Sequence, residues 1–293
     1  MGLAMLMAAL ISGSGKYTNL WGKIHQRYQR AASRLFCGRY VRPRNAVPLV
    51  SFTFDDFPES ALQHGGAILK SFGLTGTYYA SLGFMGRHMG RQFGEHMPVG
   101  KMFSERDLEE LLTEGHELGC HTFGHCHSWQ TGPEAFERSI MENMRALEEL
   151  FEGASFKTFS YPVSGPRPES KRRIAKYFMC CRGGGQGINA GRTDLNYLNA
   201  FFIRESRSDP EVIKALIEQN VRERGWLIFA THDISDTPSP FGCNPRLFSD
   251  AVRAAVESGA RVLPVAQACE LFTRGHGRDR KTVEKPSRCV HVS

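Results

Sequence analysis

From residue 47 onward, the chain alternates between short apolar runs and amphipathic segments of 10–20 residues. Apolar runs of this length are typical of buried strands, and the longer segments between them have the spacing of helices. The alternation therefore predicts repeated β-α units and a parallel sheet. Eight strands are predicted, at residues 49–54, 75–80, 117–122, 157–161, 177–181, 201–204, 227–231 and 261–265.

The helices predicted between these strands begin at recognisable capping residues. Ser104 with Asp107 three positions later resembles a capping box, and Pro133 is a residue type that favours the first helical position. The other caps are Asp209 before Pro210, and Asn244 before Pro245, with Gly259 placed to end that last helix at Ser258.

Residues 20–36 have an amphipathic pattern of their own. In a helix, their apolar side chains fall near one face and their basic side chains mostly on the other. The apolar positions are Leu20, Trp21, Ile24, Tyr28, Ala31, Leu35 and Phe36, and the basic positions are Lys23, Arg27, Arg30 and Arg34. Such a helix packs on the main domain, lies on an anionic membrane surface, or belongs to a transit peptide.

The apolar run at residues 3–11 is long enough for the core of a signal peptide but too short to span a bilayer. No basic side chain precedes it. The eight cysteines form no C-x-x-C pair, which favours reduced thiols in a reducing compartment. We therefore expect a cytoplasmic protein with peripheral membrane contact through residues 20–36, and export is the alternative.

The formal charge of +7 is concentrated at the two ends of the chain. Residues 1–46 carry +8 with no acidic residue, residues 274–293 carry +4, and the region between them carries −5. Proteins that follow a phosphate backbone place Lys and Arg on the binding face itself, so we expect no nucleic-acid partner.

The length of 293 residues fits two domains at about 150 residues each, but α/β barrels often use 200–250 residues as one domain. We expect a basic N-terminal extension at residues 1–46, one catalytic domain at residues 47–272, and a basic tail at residues 273–293. The oligomeric state is left open by the sequence.

Two adjacent carboxylates, Asp55 and Asp56, follow the first predicted strand. Adjacent acids repel each other unless a cation or a proton separates their roles, so one can bind a metal while the other acts as a base. The alternative is a pair of helix-capping residues before Pro58. Active sites of β/α barrels lie at the carboxyl ends of the strands, where this pair is predicted.

Histidines follow two further strands. His121 and His125 are four residues apart and converge on one metal ion if the turn between them is helical. No glutamate follows His121, so the pair is not an H-E-x-x-H motif. His232 follows the strand at residues 227–231, where it is either a catalytic residue or a hydrogen-bonded strand end. If Cys126 and His127 were also metal ligands, no coordination position would remain for a substrate.

Taken together and in this order, the motifs resemble the polysaccharide deacetylase family, carbohydrate esterase family four, over about residues 47–272. The resemblance implies a distorted, incomplete (β/α) barrel in the α/β class and a metal-dependent N-deacetylase, with one divalent ion, most often zinc. Carried over by position, Asp56, His121 and His125 are the metal ligands, Asp55 is the general base and His232 is the general acid.

One family motif departs from its usual form. The family often has Arg-x-Pro-Tyr where this chain has Ser160, Tyr161, Pro162 and Val163, and we expect Tyr161, Pro162 and Val163 to contact the substrate. The family uses a backbone N–H here to bind the oxyanion, so valine can serve. The arginine that orients the catalytic aspartate is missing. Arg182, at the end of an apolar run, is the preferred replacement, with Arg167 and Arg204 next.

The predicted reaction is removal of the N-acetyl group from an acetamido sugar in a glycan or a lipid-linked glycan precursor, including cell surface polysaccharide. The alternatives are hydrolysis of a small non-sugar amide on the same barrel, and a catalytically inactive carbohydrate-binding module, which the missing arginine would explain.

Overall fold

The computed structural model describes residues 24, 27–43, 45–90, 92, 99–163 and 165–274. Three predicted features lie outside these residues: the apolar run 3–11, the beginning of the amphipathic segment at residues 20–23, and the basic tail from residue 275. The domain boundaries at residues 46 and 272 stay predictions.

Eight parallel strands form one curled sheet, a half-barrel. They are β1 (Leu49–Phe54), β2 (Thr77–Ala80), β3 (Glu117–Cys120), β4 (Thr158–Ser160), β5 (Cys180–Arg182), β6 (Phe201–Phe202), β7 (Trp226–Thr231) and β8 (Arg261–Val262). The order across the sheet is β6-β7-β1-β2-β3-β4-β5, and β8 pairs with the first two residues of β1. All eight predicted strands, and the predicted incomplete barrel, are confirmed, with the strand ends shifted by up to three residues.

Within the described residues from 45 onward, seven α-helices pack against this sheet. They are α1 (Ala67–Ser71), which continues a π-helical turn at Ala61–Gly66, α2 (Glu105–Thr113), α3 (Pro133–Leu150), α4 (Pro168–Ile174), α5 (Pro210–Glu223), α6 (Pro245–Glu257) and α7 (Val265–Arg274). The predicted capping box of α2 is confirmed, since the Asp107 N–H donates to the Ser104 hydroxyl. The Asn244 side chain caps α6 in the same way.

Strands β1, β2, β4, β5 and β7 are buried on both faces, and alternate residues face opposite layers. In β1, Val50, Phe52 and Phe54 belong to the core between the sheet and the outer helices. A second core lies on the opposite face of the sheet. It contains Leu49 of β1, Ile228 of β7 and Phe272 of α7. Helix α7 therefore fills the inner face of the half-barrel, and inward-facing residues beyond the strand ends meet above it.

A helix at residues 27–35 packs against this domain. It does so through Ala32 and Ser33, which are buried, while Ile24, Tyr28 and Leu35 are exposed. The packed helix expected from the sequence is thus present, but it packs through a face of small residues beside its apolar stripe. Among the described residues, no helix is long and apolar enough to cross a membrane.

Candidate metal centre and active site

The candidate site lies at the carboxyl edge of the sheet, on its inner side. Asp55 directly follows β1, His121 follows β3, and His232 follows β7, while Arg182 is the last residue of β5. Each lies at a position whose side chain, by strand alternation, points to the inner face. The site is therefore assembled from strands that are far apart in sequence but neighbours in the sheet.

Asp56, His121 and His125 form a compact buried cluster. One ligand atom from each lies within 4.8 Å of the others. The two histidine Nε2 atoms are 3.4 and 3.2 Å from the same carboxylate oxygen, Asp56 Oδ1. In the described part of the chain this is the one group of three or more such side chains close enough to hold a metal, and Cys126 and His127 are outside it.

The turn between the two histidines is not helical, which corrects one expectation. Thr122 and His125 have left-handed φ angles of 61° and 54°, and Asp56 has a φ of 63°. Such backbone is costly for non-glycine residues, at about 1–3 kcal/mol each, and it clusters where function requires it. Left-handed residues, rather than a helical turn, bring the imidazoles together.

The polar atoms of this cluster suit a cation. His121 Nδ1 donates to the Ser160 carbonyl at 2.8 Å, so in the neutral ring Nε2 carries a lone pair directed at Asp56 Oδ1. That carboxylate oxygen is buried and has no hydrogen-bond donor. Lone pairs that face one another in a buried site need a positive charge between them. Two imidazole nitrogens and one carboxylate oxygen are a donor set that zinc and similar divalent ions accept.

Asp55 is held by two side chains that the metal cluster does not use. Arg182 Nη2 donates to Asp55 Oδ1, and the Ser160 hydroxyl donates to the same oxygen at 3.2 Å. Burial raises the pKa of Asp55, but the Arg182 guanidinium and the nearby histidines lower it more, so the pKa lies below its usual value. Asp55 is consequently a carboxylate at neutral pH.

Arg182 itself is almost fully buried, at 1% exposure. Its guanidinium carbon lies 4.6 Å from the centre of the Tyr79 ring, on the inner face of β2. The ring stabilises the positive charge by a cation–π interaction. The other two candidate arginines are elsewhere: Arg167 donates to the Trp129 carbonyl, and Arg204 pairs with Glu205. The contact expected of an arginine with Asp55 is thus present, and Arg182 makes it.

His232 faces the metal cluster from β7. Its Nε2 is 3.6 Å from Asp56 Oδ2, and its Nδ1 donates to the Phe241 carbonyl at 3.2 Å. The rings of Phe202 and Phe241 lie 6.1 and 5.3 Å from the imidazole, and Arg204 lies over the Phe241 ring. These contacts fix one tautomer and leave Nε2 directed into the site.

The segment after β4 places its three residues differently. The Tyr161 side chain is buried, and its hydroxyl donates to the Asn196 carbonyl at 3.2 Å. Pro162 is also buried, whereas the Val163 side chain is 44% exposed and the residue has a φ of 65°. Contact of these three residues with a substrate stays a prediction, and Val163 is the exposed one.

Ser160 precedes Tyr161 in the sequence motif, and the sequence alone predicts no role for it. Its carbonyl orients His121 and its hydroxyl contacts Asp55, so one residue links the metal cluster to the second aspartate. Strand alternation is the sequence signal that could have identified Ser160. Residues 158 and 160 of β4 face the same side of the sheet, and that side is the inner one.

The chain is also similar to known proteins in sequence. Residues 43–178 match the sequence model of the family described as polysaccharide deacetylase. One curated relative, a gellan lyase from a Bacillus species, is 26% identical over 151 residues, which cover 44% of this chain and 6% of that protein. This chain therefore spans a small part of that relative.

Solved structures share the fold. The peptidoglycan deacetylase PdaC from Bacillus subtilis superposes with a TM-score of 0.52 at 15% identity, over 80% of this chain and 96% of that one. A CE4 family pseudoenzyme from Bacillus anthracis superposes with a TM-score of 0.51 at 13% identity, over 78% of this chain and 68% of that one. At these identities the likeness is one of fold.

Proposed function

This chain carries a polysaccharide deacetylase domain, and on that premise we propose that it is a metal-dependent hydrolase of N-acetylated sugars. The substrate is an acetamido sugar of a glycan or a lipid-linked glycan precursor, and the products are acetate and a free amine. The observation that carries the proposal is the arrangement of Asp55 beside the cluster of Asp56, His121 and His125, with His232 opposite.

Asp56, His121 and His125 would hold one divalent ion, with zinc the first choice for two imidazoles and a carboxylate. When bound, such an ion polarises the acetyl carbonyl and acidifies a water molecule. Every other step falls to side chains and backbone of this chain.

Asp55 acts as the general base. Its lowered pKa keeps it ionised, so it accepts the proton of the attacking water while the water oxygen bonds to the acetyl carbon. The Arg182 guanidinium holds this carboxylate in place before and after the transfer. The backbone N–H of Val163 stabilises the developing oxyanion.

His232 acts as the general acid. The acid is the doubly protonated ring: its Nδ1–H stays on the Phe241 carbonyl, and its second proton, on Nε2, is the one delivered into the site. The proton goes to the amide nitrogen as the bond between carbon and nitrogen breaks, which releases the amino sugar. Phe202 and Phe241, both partly exposed beside His232, offer rings against which a sugar can stack.

Acetate release from N-acetylated chitooligosaccharide, compared with release from small acetamides, tests this proposal on protein loaded with a divalent ion. We expect release from the oligosaccharide and loss of that release in Asp55→Asn. Release from the small amides alone would replace the proposal with the small-amide hydrolase. Release from neither would favour the carbohydrate-binding module.

A further inference from the structure

The helix at residues 27–35 has three distinct faces, and one of them is buried against the domain. Ala32 and Ser33 are buried, and the Ser33 hydroxyl donates to the Pro166 carbonyl at 2.6 Å. Lys171 Nζ donates to the Ser33 carbonyl at 2.8 Å and to the Phe36 carbonyl at 3.0 Å. These contacts fix how the helix is rotated, and therefore which side chains face away from the domain.

The second face is apolar and exposed. Ile24, Tyr28 and Leu35 are 45%, 57% and 64% exposed, and Ala31 on the same stripe is also exposed. Single exposed apolar residues are ordinary on protein surfaces, whereas a row of them on one helix face indicates a contact surface. Among the described residues, this face is the one helix stripe that groups three large exposed apolar side chains.

The third face is basic and adjoins the apolar one. Arg27, Arg30 and Arg34 follow one another at helical spacing and are all exposed. No acidic residue occurs in residues 1–46 to neutralise them. An apolar stripe flanked by arginines is the pattern of helices that lie in the plane of an anionic bilayer, because the apolar side chains enter the acyl boundary while the guanidinium groups reach the headgroups.

The helix also lies beside the segment that follows β4. The Tyr28 ring packs edge-on against Trp129 with 6.1 Å between centroids, and Trp129 Nε1 donates to the Gly165 carbonyl at 2.8 Å. Gly165 is two residues from Val163. A surface bound to this helix would therefore lie next to the segment that carries the proposed oxyanion donor.

We propose that the exposed face of Ile24, Tyr28, Ala31 and Leu35, together with Arg27, Arg30 and Arg34, binds a bilayer that contains anionic lipid. The binding itself does not depend on the deacetylase activity. It brings the active site to a membrane surface, where a lipid-linked glycan would be presented.

Sedimentation of the full chain with vesicles tests this binding directly. We expect co-sedimentation with phosphatidylcholine vesicles that contain phosphatidylglycerol, release as the salt concentration rises, and at least roughly 10-fold weaker binding to phosphatidylcholine alone. Tyr28→Asp with Leu35→Asp should weaken binding by a similar factor. The matched control is Met141→Asp with Val256→Asp, which changes two exposed apolar residues on other helices and should bind normally.

A second pair of variants tests how the positive charge of the helix contributes to vesicle binding. Replacing Arg27, Arg30 and Arg34 by glutamine should weaken binding to the anionic vesicles, whereas replacing the exposed Arg106, Arg138 and Arg145 should not. All these side chains are exposed, so the variants should fold, and acetate release from a soluble oligosaccharide should be unchanged. An equal loss of vesicle binding in the two arginine sets would overturn the proposal, and so would full vesicle binding by the Tyr28 and Leu35 double variant. Binding to an acidic protein without binding to the vesicles would also overturn it.

Discussion

The guanidinium of Arg182, at the end of β5, donates a hydrogen bond to the carboxylate of Asp55, at the end of β1. Both side chains are buried, and the two strands lie at different places in the half-barrel. The last residue of β5 thus supplies the cation that the sequence predicts beside Asp55.

Replacing Arg182 by lysine should therefore lower kcat for acetate release by roughly 10²-fold, because lysine cannot reproduce a planar guanidinium contact with a carboxylate. Metal content should stay unchanged, since Arg182 contacts none of the three proposed ligands. Arg173→Lys, at a partly exposed ion pair, is the matched control and should retain normal turnover. Near-normal turnover in Arg182→Lys would remove Arg182 from its positioning role.

Val163 is proposed to act through its backbone N–H, and its φ of 65° is unfavourable for a β-branched residue. Val163→Gly keeps the N–H and suits the left-handed backbone, so turnover should stay within roughly threefold of the unchanged protein. Val163→Pro removes the donor and cannot adopt this φ, so turnover should be lost. A large loss in the glycine variant would indicate that the valine side chain, not the backbone, is required.

Lys171 is fully buried, and its ammonium group pairs with Asp194 while it holds the helix at residues 27–35 by two carbonyls. Lys171→Met leaves Asp194 without its cation and should lower the free energy of unfolding by about 3–5 kcal/mol. Trypsin should then cleave faster after Arg27, Arg30 and Arg34, which limited proteolysis with mass spectrometry would detect. Lys176→Met, at an exposed ion pair, should leave both quantities unchanged. Equal proteolysis of the two variants would contradict this anchoring.

His116 predicts a pH dependence of stability away from the candidate metal site. Burial lowers the pKa of His116, and the Gly76 N–H donates to its Nδ1 at 2.9 Å, so the folded chain prefers the neutral ring. The unfolded chain takes up this proton near pH 6.5, so the free energy of unfolding should fall below that pH, at most by about 1.4 kcal/mol per pH unit.

Denaturant titrations between about pH 7.5 and pH 5.5 should show a shallower dependence in His116→Asn, which keeps an acceptor near the Gly76 N–H. The exposed His88, replaced by asparagine, should leave the dependence as it is. An unchanged slope in His116→Asn would show that other groups bind the proton.

The strands and much of the site were predictable because both depend on local patterns. Short apolar runs that end in Asp55, His121 and His232 indicate buried parallel strands, and the carboxyl ends of such strands meet at one edge. Arg182 was found by the same reasoning, from its place at the end of an apolar run.

What the sequence did not predict depends on contacts between distant segments. The convergence of His121 and His125 arises from left-handed backbone at Thr122, which no side-chain spacing reveals. The face on which the N-terminal helix packs depends on Lys171, which is more than 130 residues away in sequence. Lys171 binds main-chain carbonyls of this helix, and because every residue has such a carbonyl, the sequence does not reveal the contact. Two short antiparallel pairs, Tyr40–Val41 with Thr193–Asp194 and His88–Met89 with Gly100–Lys101, were also absent from the predicted elements.

The central claim is that two adjacent carboxylates, Asp55 and Asp56, have different roles, and paired measurements of metal content and acetate release test it most directly. Asp55→Asn should retain about one divalent ion per chain and lose most turnover, because the ligand cluster is intact while the base is gone. Asp56→Asn should lose both the ion and the turnover, since two histidines alone bind a metal weakly. Equal loss of metal in the two variants, or full turnover in Asp55→Asn, would contradict the account.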